Sequence, residues 1–175
     1  MMEDWNVVVI GDGTREEDLV EALAGEGEFE RTGFQNVLVG NVEDIAGFLE
    51  DAEQRSYPDV NRVIPIDEFF AVTPENLIDE VKKRIERYID EIEPGETIGF
   101  RVERRGMKEE ISTQKVEREV SLYFYELLEK VHGRKPKLNL TRPEKLILIV
   151  ILGNRCGLGF ITREMREKFS IIKVK

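Results

Sequence analysis

The side chains best suited to chemistry in this sequence are nine cations in its second half. They are Arg101, Arg104, Arg105, Lys115, Arg118, Lys135, Lys137, Arg142 and Arg155. A guanidinium group binds two phosphate oxygens at once, and its flat face stacks on unpaired bases. Arg104 and Arg105 precede Gly106, so we expect a turn at the end of a strand to present both of them. The nine residues predict a surface that binds a phosphate backbone.

Two of these cations, Lys115 and Arg118, fall in the first turns of a predicted helix. Ser112 is a favourable N-cap for that helix, and the free N–H groups of a helix N-terminus attract anions. Loops beside the last strands carry four others: Lys135, Lys137, Arg142 and Arg155. The alternative is that these residues are ordinary surface charges, each neutralised by a nearby carboxylate.

Charge changes sign along the chain. Residues 1–80 contain 4 arginines and lysines against 21 aspartates and glutamates, whereas residues 81–175 contain 22 against 15. The net charge of −10 hides this difference. Because binding follows the local field and not the sum, we expect the second half to bind a polyanion that the first half would repel.

The sequence Gly11-Asp12-Gly13, between a strand and a helix, imitates the start of a dinucleotide-binding loop. The third glycine of that loop is absent, and the acidic residues that follow would repel a pyrophosphate. We predict instead a tight turn into a helix with a capping box, in which Thr14 is the N-cap and Glu17 reaches back. This interpretation leaves no nucleotide site in the first half.

No set of residues predicts catalysis. A methyltransferase needs a glycine-rich nucleotide loop and a sulfur-transfer enzyme needs a pyrophosphate loop such as Ser-Gly-Gly, and the sequence has neither. Cys156 is the only cysteine, which excludes an intramolecular disulfide and a cysteine-rich zinc site. We therefore predict no catalytic residue, no cofactor and no metal site, and a protein that is not an enzyme.

The apolar runs are short. The longest, residues 146–152, is the length of a strand and cannot span a membrane, and the N-terminus lacks the features of a signal peptide. We predict a cytoplasmic protein with no membrane partner.

The framework that holds the cations is predicted to have two domains. Residues 1–72 read as β-α-β-β-α-β, the ferredoxin-like arrangement of an antiparallel sheet with both helices on one face. Residues 73–175 form a second α/β unit, with a strand over 97–104 and a long helix from Ser112 to Gly133. The uninterrupted run 146–152 predicts a strand buried on both faces at the sheet centre. The predicted fold class is α/β, in the α+β arrangement.

Four segments resemble THUMP-domain proteins in their order and spacing. They are Arg62-Val63-Ile64-Pro65-Ile66-Asp67, Phe100-Arg101-Val102-Glu103-Arg104-Arg105-Gly106, Lys137-Leu138-Asn139-Leu140-Thr141-Arg142-Pro143-Glu144 and Arg155-Cys156-Gly157-Leu158-Gly159-Phe160. The resemblance covers nearly the whole chain. It is strongest to small archaeal THUMP proteins, which are similar to the eukaryotic tRNA acetyltransferase adaptor, with a ferredoxin-like domain ahead of the THUMP domain.

The resemblance implies tRNA binding, in which the THUMP domain recognises the acceptor stem and its single-stranded 3′ end. It also implies a non-catalytic adaptor that presents tRNA to a modifying enzyme, with a cytidine acetyltransferase as the expected partner. The alternative is a protein-interaction module, whose acidic N-terminal domain docks a basic partner without direct RNA binding. Charge reversal at Arg104 and Arg105 separates the two hypotheses, because only the first needs those charges.

Overall fold

A computed structural model describes residues 4–174, which divide into two compact units. The first unit joins Met1–Phe70 with Met165–Lys175, and the second is Ala71–Glu164. Residues 165–174 therefore belong to the first unit and not, as predicted, to the second. Among the described residues, two sheets and five α-helices make up the fold, which confirms the predicted α+β class.

The first unit is built on a four-stranded antiparallel sheet. Its elements are β1 (Val7–Gly11), α1 (Glu16–Leu23), β2 (Gly27–Arg31), β3 (Val37–Val42), α2 (Ile45–Glu53) and β4 (Val60–Pro65). The strands lie in the order β2-β3-β1-β4. Each neighbouring pair is antiparallel. Because Val7, Val8 and Val9 are all fully buried, both faces of the central strand β1 are shielded from solvent.

The start of α1 differs from the sequence prediction. The helix begins at Glu16 with Arg15 at the N-cap, and no side chain caps it. Glu16 and Glu17 instead form ion pairs with Arg31 at 2.9 and 3.0 Å. The predicted capping box of Thr14 and Glu17 is wrong, because an ion pair to the neighbouring strand β2 holds the carboxylate that would have reached back.

The segment 165–174 packs on α2 and β4 of the first unit. At the end of α2, the Glu53 carboxylate accepts hydrogen bonds from Ser170 Oγ at 2.7 Å and from Ile171 N at 2.8 Å. On β4, Arg62 is buried, and its Nε donates to Ile172 O at 2.8 Å. The first unit is thus completed by residues that follow the second unit in the chain.

The second unit contains most of the remaining elements. They are α3 (Leu77–Ile85), a 3-10 helix (Glu86–Glu91), β6 (Thr97–Arg105), α4 (Thr113–His132), β7 (Lys137–Leu138), β8 (Lys145–Leu152) and β9 (Arg155–Thr162). Two others, β5 (Glu68–Ala71) and α5 (Arg163–Lys168), cross the boundary between the units. Within the second unit the strand order is β9-β8-β6-β7. Here β6 is parallel to β7 and β8, and β8 is antiparallel to β9.

Strand β8 forms the centre of this sheet. It pairs with β6 on one side and β9 on the other, and every residue from Leu146 to Leu152 is at most 1% exposed. A strand buried on both faces needs apolar side chains at each position, and this requirement explains the uninterrupted run. The prediction for residues 146–152 is confirmed.

Helix α4 has the limits that its caps predict. Ser112 Oγ accepts from Lys115 N at 3.3 Å, and the helix ends at Gly133 in the left-handed conformation, with a φ of 72°. The buried stripe includes Phe124, whose ring lies 5.7 Å from that of Phe100 on β6. Val131, near the C-terminal end of α4, lies outside this buried stripe and is 61% exposed. This packing fixes the position of α4 beside β6, and the two elements carry five of the nine predicted cations.

Candidate nucleic-acid interface

One group of predicted cations lies where β6 and β8 end and β9 begins. Arg105 is opposite Leu152 of β8, which is itself opposite Arg155 of β9. Residues directly opposite one another in a sheet point to the same face, so Arg105 and Arg155 share a face at two strand spacings, about 10 Å.

Arg104 does not join Arg105 on that face. Both residues are still in β6, so their side chains alternate, and the Arg104 guanidinium donates to Gly106 O at 2.8 Å. The turn follows at Gly106 and Met107, with φ values of 81° and 51°. The expectation that a turn would present both guanidiniums together is therefore wrong, because the strand is one residue longer than predicted.

A second group of cations lies at the other end of β6. Lys137 is opposite Thr97, the first residue of β6, and Lys135 and Arg142 are exposed in the segments on either side of β7. Thr97 and Arg105 are eight residues apart, or about 26 Å in an extended strand. The nine predicted cations therefore do not form one cluster.

A groove between these two groups brings together two of the nine, Arg101 and Arg118. Its volume is about 550 Å³, and it is lined by Phe100, Arg101, Gln114, Glu117, Arg118, Ser121, Tyr125, Leu138 and Leu140. Three parts of the second unit supply these residues: β6, residues 114–125 of α4, and the segment from β7 onward. The groove thus combines two arginines and one glutamate with aromatic and leucine side chains.

The two arginines of the groove differ in the hydrogen bonds that their guanidinium groups make. The Arg101 guanidinium donates to Phe100 O at 2.9 Å and also to Leu140 O. Arg118 is exposed, and its guanidinium forms no salt bridge or hydrogen bond with the part of the chain that the structure describes. Nearby on α4, Lys115 Nζ lies 3.9 Å from Glu119. Of these three cations, Arg118 is the one that a phosphate meets without first displacing a protein partner.

Tyr125 forms the inner wall of the groove. Its ring lies 5.8 Å from that of Phe100, in an edge-to-face arrangement. Burial, with a smaller contribution from the negative charge of Glu117, raises the pKa of Tyr125 to about 12. The hydroxyl therefore stays protonated at neutral pH and can donate a hydrogen bond to a ligand.

Sequence reasoning missed the apolar side of this groove. Leu138 is 51% exposed and Leu140 is 70% exposed, although leucine is usually buried. The signal that was available is two leucines that alternate with polar residues over Lys137–Thr141, a segment with no helical stripe to bury them. A site predicted from cations alone does not include these leucines.

The division into units also changes the distribution of charge. Residues 165–175, counted within the basic second half, contain four of its cations and one glutamate, and they belong to the first unit. The positive excess of the second unit lies in residues 97–164, with 14 arginines and lysines against 9 aspartates and glutamates. Binding of a polyanion by the second unit therefore depends on local clusters of cations and less on its overall charge.

Two other kinds of site are absent from residues 4–174. No helix in this range has the length and apolarity needed to cross a membrane. The same residues contain no group of three or more histidine, cysteine or acidic side chains that could hold a metal ion.

Comparison with known proteins gives a domain family and several related folds. Residues 75–160 match the family model described as the THUMP domain. TrmN from Thermus thermophilus has a TM-score of 0.60 at 17% identity over 89% of this chain. PH1313 from Pyrococcus horikoshii has a TM-score of 0.60 at 11% identity over 90%. A 4-thiouridine synthetase, solved as an RNA complex with bound ATP, has a TM-score of 0.55 at 9% identity over 91%.

These likenesses extend over both units but have limits. The present chain spans 44%, 54% and 41% of the three solved chains, which is about half of each. At these identities the likeness is one of fold. No curated protein matches the chain.

Proposed function

Because residues 75–160 form a THUMP domain, we propose that this protein binds tRNA through its second unit and presents it to a tRNA-modifying enzyme. The observation that carries the proposal is the groove in which the unpaired cation Arg118 stands beside exposed apolar side chains. Such a surface suits a ligand with phosphates along one side and flat apolar bases along the other. One protein of the same fold was solved in complex with RNA, and the proposal extends that class of ligand to this chain.

The proposed mechanism is electrostatic capture followed by positioning. Phosphates approach the exposed cations of the second unit, and each contact releases counterions from the RNA. About five such contacts would make the logarithm of affinity fall against the logarithm of salt concentration with a slope of about −3.5 to −4.5. The first unit, with 19 acidic and 8 basic residues in 1–70 and 165–175, would repel the same backbone. The RNA is therefore expected to contact the second unit and to avoid the first.

The finer parts of the proposal concern the role in modification. We propose a non-catalytic adaptor of the small archaeal type, located in the cytoplasm, whose partner enzyme acetylates cytidine and whose first unit is a ferredoxin-like domain. The resemblance of the four sequence segments supports the adaptor role. The strand order β2-β3-β1-β4 with antiparallel pairing supports the ferredoxin-like assignment. The groove supports a binding role, since it places the exposed guanidinium of Arg118 beside the exposed side chains of Leu138 and Leu140.

The proposal is tested by titrating the full chain against total tRNA, and against duplex DNA of matched charge, over a range of salt concentrations. Arg104→Glu/Arg105→Glu and, separately, Arg118→Glu should weaken tRNA binding about tenfold or more. Each should also reduce the salt slope by about 1 for every phosphate that the variant no longer binds. Arg15→Glu is the matched control for Arg118→Glu, because this side chain is 78% exposed in the first unit and the two substitutions change the net charge by the same amount. Equal losses in the control and in the groove variant would contradict the proposal.

A second candidate function rests on the acidity of the first unit. With 19 acidic residues against 8 basic ones in 1–70 and 165–175, that unit suits a basic protein partner without any RNA. Under this alternative, Arg104→Glu/Arg105→Glu leaves capture of the partner intact, and the unmodified protein fails to bind tRNA even at low salt.

A further inference from the structure

Leu138 and Leu140 are exposed on a segment that hydrogen bonds attach to β6. The segment that follows β7 turns back at Asn139, whose Oδ1 accepts hydrogen bonds from Thr141 N at 3.0 Å and Arg142 N at 2.9 Å. Asn139 N donates to Ile98 O at 3.3 Å, which attaches the turn to the edge of β6. Leu140 stands at the tip of this turn and is 70% exposed.

Two arginines fasten the same turn from the side. Arg101 donates to Leu140 O, and Arg163 donates to Arg142 O. These bonds use guanidinium groups to satisfy loop carbonyls, and they oppose rotation of the turn toward the protein interior. Arg101, predicted from its charge to contact phosphate, is already engaged in holding Leu140.

The approach of this turn to β6 is close enough to require glycine. A Cβ on Gly99 would lie 3.0 Å from Asn139 O and 3.0 Å from Pro143 Cγ, and both are parts of the chain with little freedom to move. An alanine at this position would push the loop away from the strand. The loop is therefore fixed at three places, Gly99, Asn139 and Arg101, while the leucine that it presents has no cover.

Extending the proposed function, on which this inference rests, we propose that Leu140, with Leu138 beside it, packs against an unpaired base of the bound RNA and that Arg101 is a positioning residue for this contact. A fixed apolar tip next to the unpaired guanidinium of Arg118 fits a nucleotide, which presents an apolar ring face and a phosphate together. The exposed cations Lys137 and Arg142 flank the leucines, which favours a polyanion over an apolar peptide.

The test compares two synthetic RNA hairpins with the same stem, one blunt and one with four unpaired nucleotides at its 3′ end. Leu140→Ser in the full chain should weaken binding of the extended hairpin about tenfold and leave the blunt hairpin unchanged, because the variant lacks the apolar side chain that packs against an unpaired base. Leu122→Ser is the matched control, since this leucine is 55% exposed on α4 but does not line the groove.

Arg101 is tested by the salt dependence of binding to the extended hairpin. Arg101→Ala should lower affinity about as much as Leu140→Ser and should leave the salt slope unchanged. The double variant should be no weaker than either single one, because both act on one contact. If Arg101→Ala reduced the slope of log affinity against log salt concentration by about 1, Arg101 would be a phosphate ligand and its positioning role would be overturned.

The remaining outcomes separate this inference from the function on which it rests. If the unmodified protein binds neither hairpin and no tRNA, the proposed function fails and this inference fails with it. If it binds both, and Leu140→Ser behaves as Leu122→Ser does, only the base contact is overturned and the proposed function stands. Equal weakening of both hairpins by Leu140→Ser would also overturn the contact with an unpaired base.

Discussion

Arg62 is a charged side chain enclosed in the first unit, with 2% of its surface exposed. Its Nε donates to Ile172 O at 2.8 Å, so a cation on β4 satisfies a carbonyl of a segment 110 residues later in the chain. An interior guanidinium is expensive to desolvate and is retained only where its donors are used. Its role is to join β4 to the segment 165–174.

Replacing Arg62 with methionine should therefore destabilise the first unit. We expect a loss of about 1–3 kcal/mol in the free energy of unfolding, because Ile172 O loses its donor while remaining buried. Chemical denaturation measures this loss. Arg55→Met is the control, since Arg55 is exposed in the same unit, and an equal loss in the control would contradict the role given to Arg62.

At the same scale, single side chains account for what the sequence could and could not predict in the candidate site. The sequence predicted that Arg118 is a cation in the first turns of a helix. This prediction needs no tertiary information, because it depends only on the local helical pattern. The exposure of Leu140 was not predicted, because it depends on a loop fixed by Gly99 and Arg101, residues that are far from Leu140 in sequence. Arg101 was assigned to phosphate from its charge alone, although its guanidinium bonds to Phe100 O and Leu140 O.

The helices and strands match the sequence predictions where the local pattern of caps and apolar residues agrees with burial in the fold. Helix α4 runs between the caps Ser112 and Gly133, and the apolar run 146–152 is the buried strand β8. The capping box at Thr14 failed because Glu17 pairs with Arg31 on the neighbouring strand β2. A local signal was overruled there by a tertiary ion pair, which no pattern within α1 reveals.

The end of α2 gives a prediction about pH. Burial alone would raise the pKa of Glu53, but hydrogen bonds from Ser170 Oγ, Ile171 N and Ser170 N outweigh it, and the net pKa lies below its ordinary value of 4.5. A carboxyl whose pKa is lower in the folded state stabilises the fold fully above its unfolded pKa. That stabilisation is lost as the pH falls through the folded value.

Glu53→Gln should accordingly lower the stability at neutral pH by about 1 kcal/mol, and the difference from the unmodified protein should shrink as the pH falls below the ordinary value of 4.5. Denaturation midpoints over a pH series measure both effects. Glu21→Gln on the exposed face of α1 is the control and should show neither. A stability difference between Glu53→Gln and the unmodified protein that grew as the pH fell would contradict the lowered pKa of Glu53.

On the scale of the whole molecule, the two units divide the chain unequally. The second is one continuous segment, Ala71–Glu164, and the first is assembled from segments on either side of it. The cations of residues 165–174 therefore sit within the acidic unit, as in the 3.5 Å ion pair between Lys168 and Glu50. Sequence patterns could not assign them there, because they share their charge sign with the second unit and the contacts that place their segment are with residues 110 or more positions earlier.

Removal of residues 165–175 should destabilise the first unit and spare the second. Without this segment, Arg62 and Glu53 lose their hydrogen-bond partners. Hydrogen exchange should show faster exchange in β1–β4 and unchanged protection in β6–β9. Lys168→Ser/Lys173→Ser keeps the segment while removing two exposed interactions, and it should have little effect. Comparable loss of protection in both sheets would contradict the division.

The discontinuous first unit has a consequence for synthesis on the ribosome. Residues 1–70 emerge first, but the segment that completes their fold follows only after the 94 residues of Ala71–Glu164 have been made. At about 5–20 residues per second, the nascent first unit waits about 5–20 s with the sites for Ser170 and Ile172 unfilled. The second unit, whose residues are contiguous, can fold during that interval, so the unit whose synthesis begins first is the one whose fold is completed last.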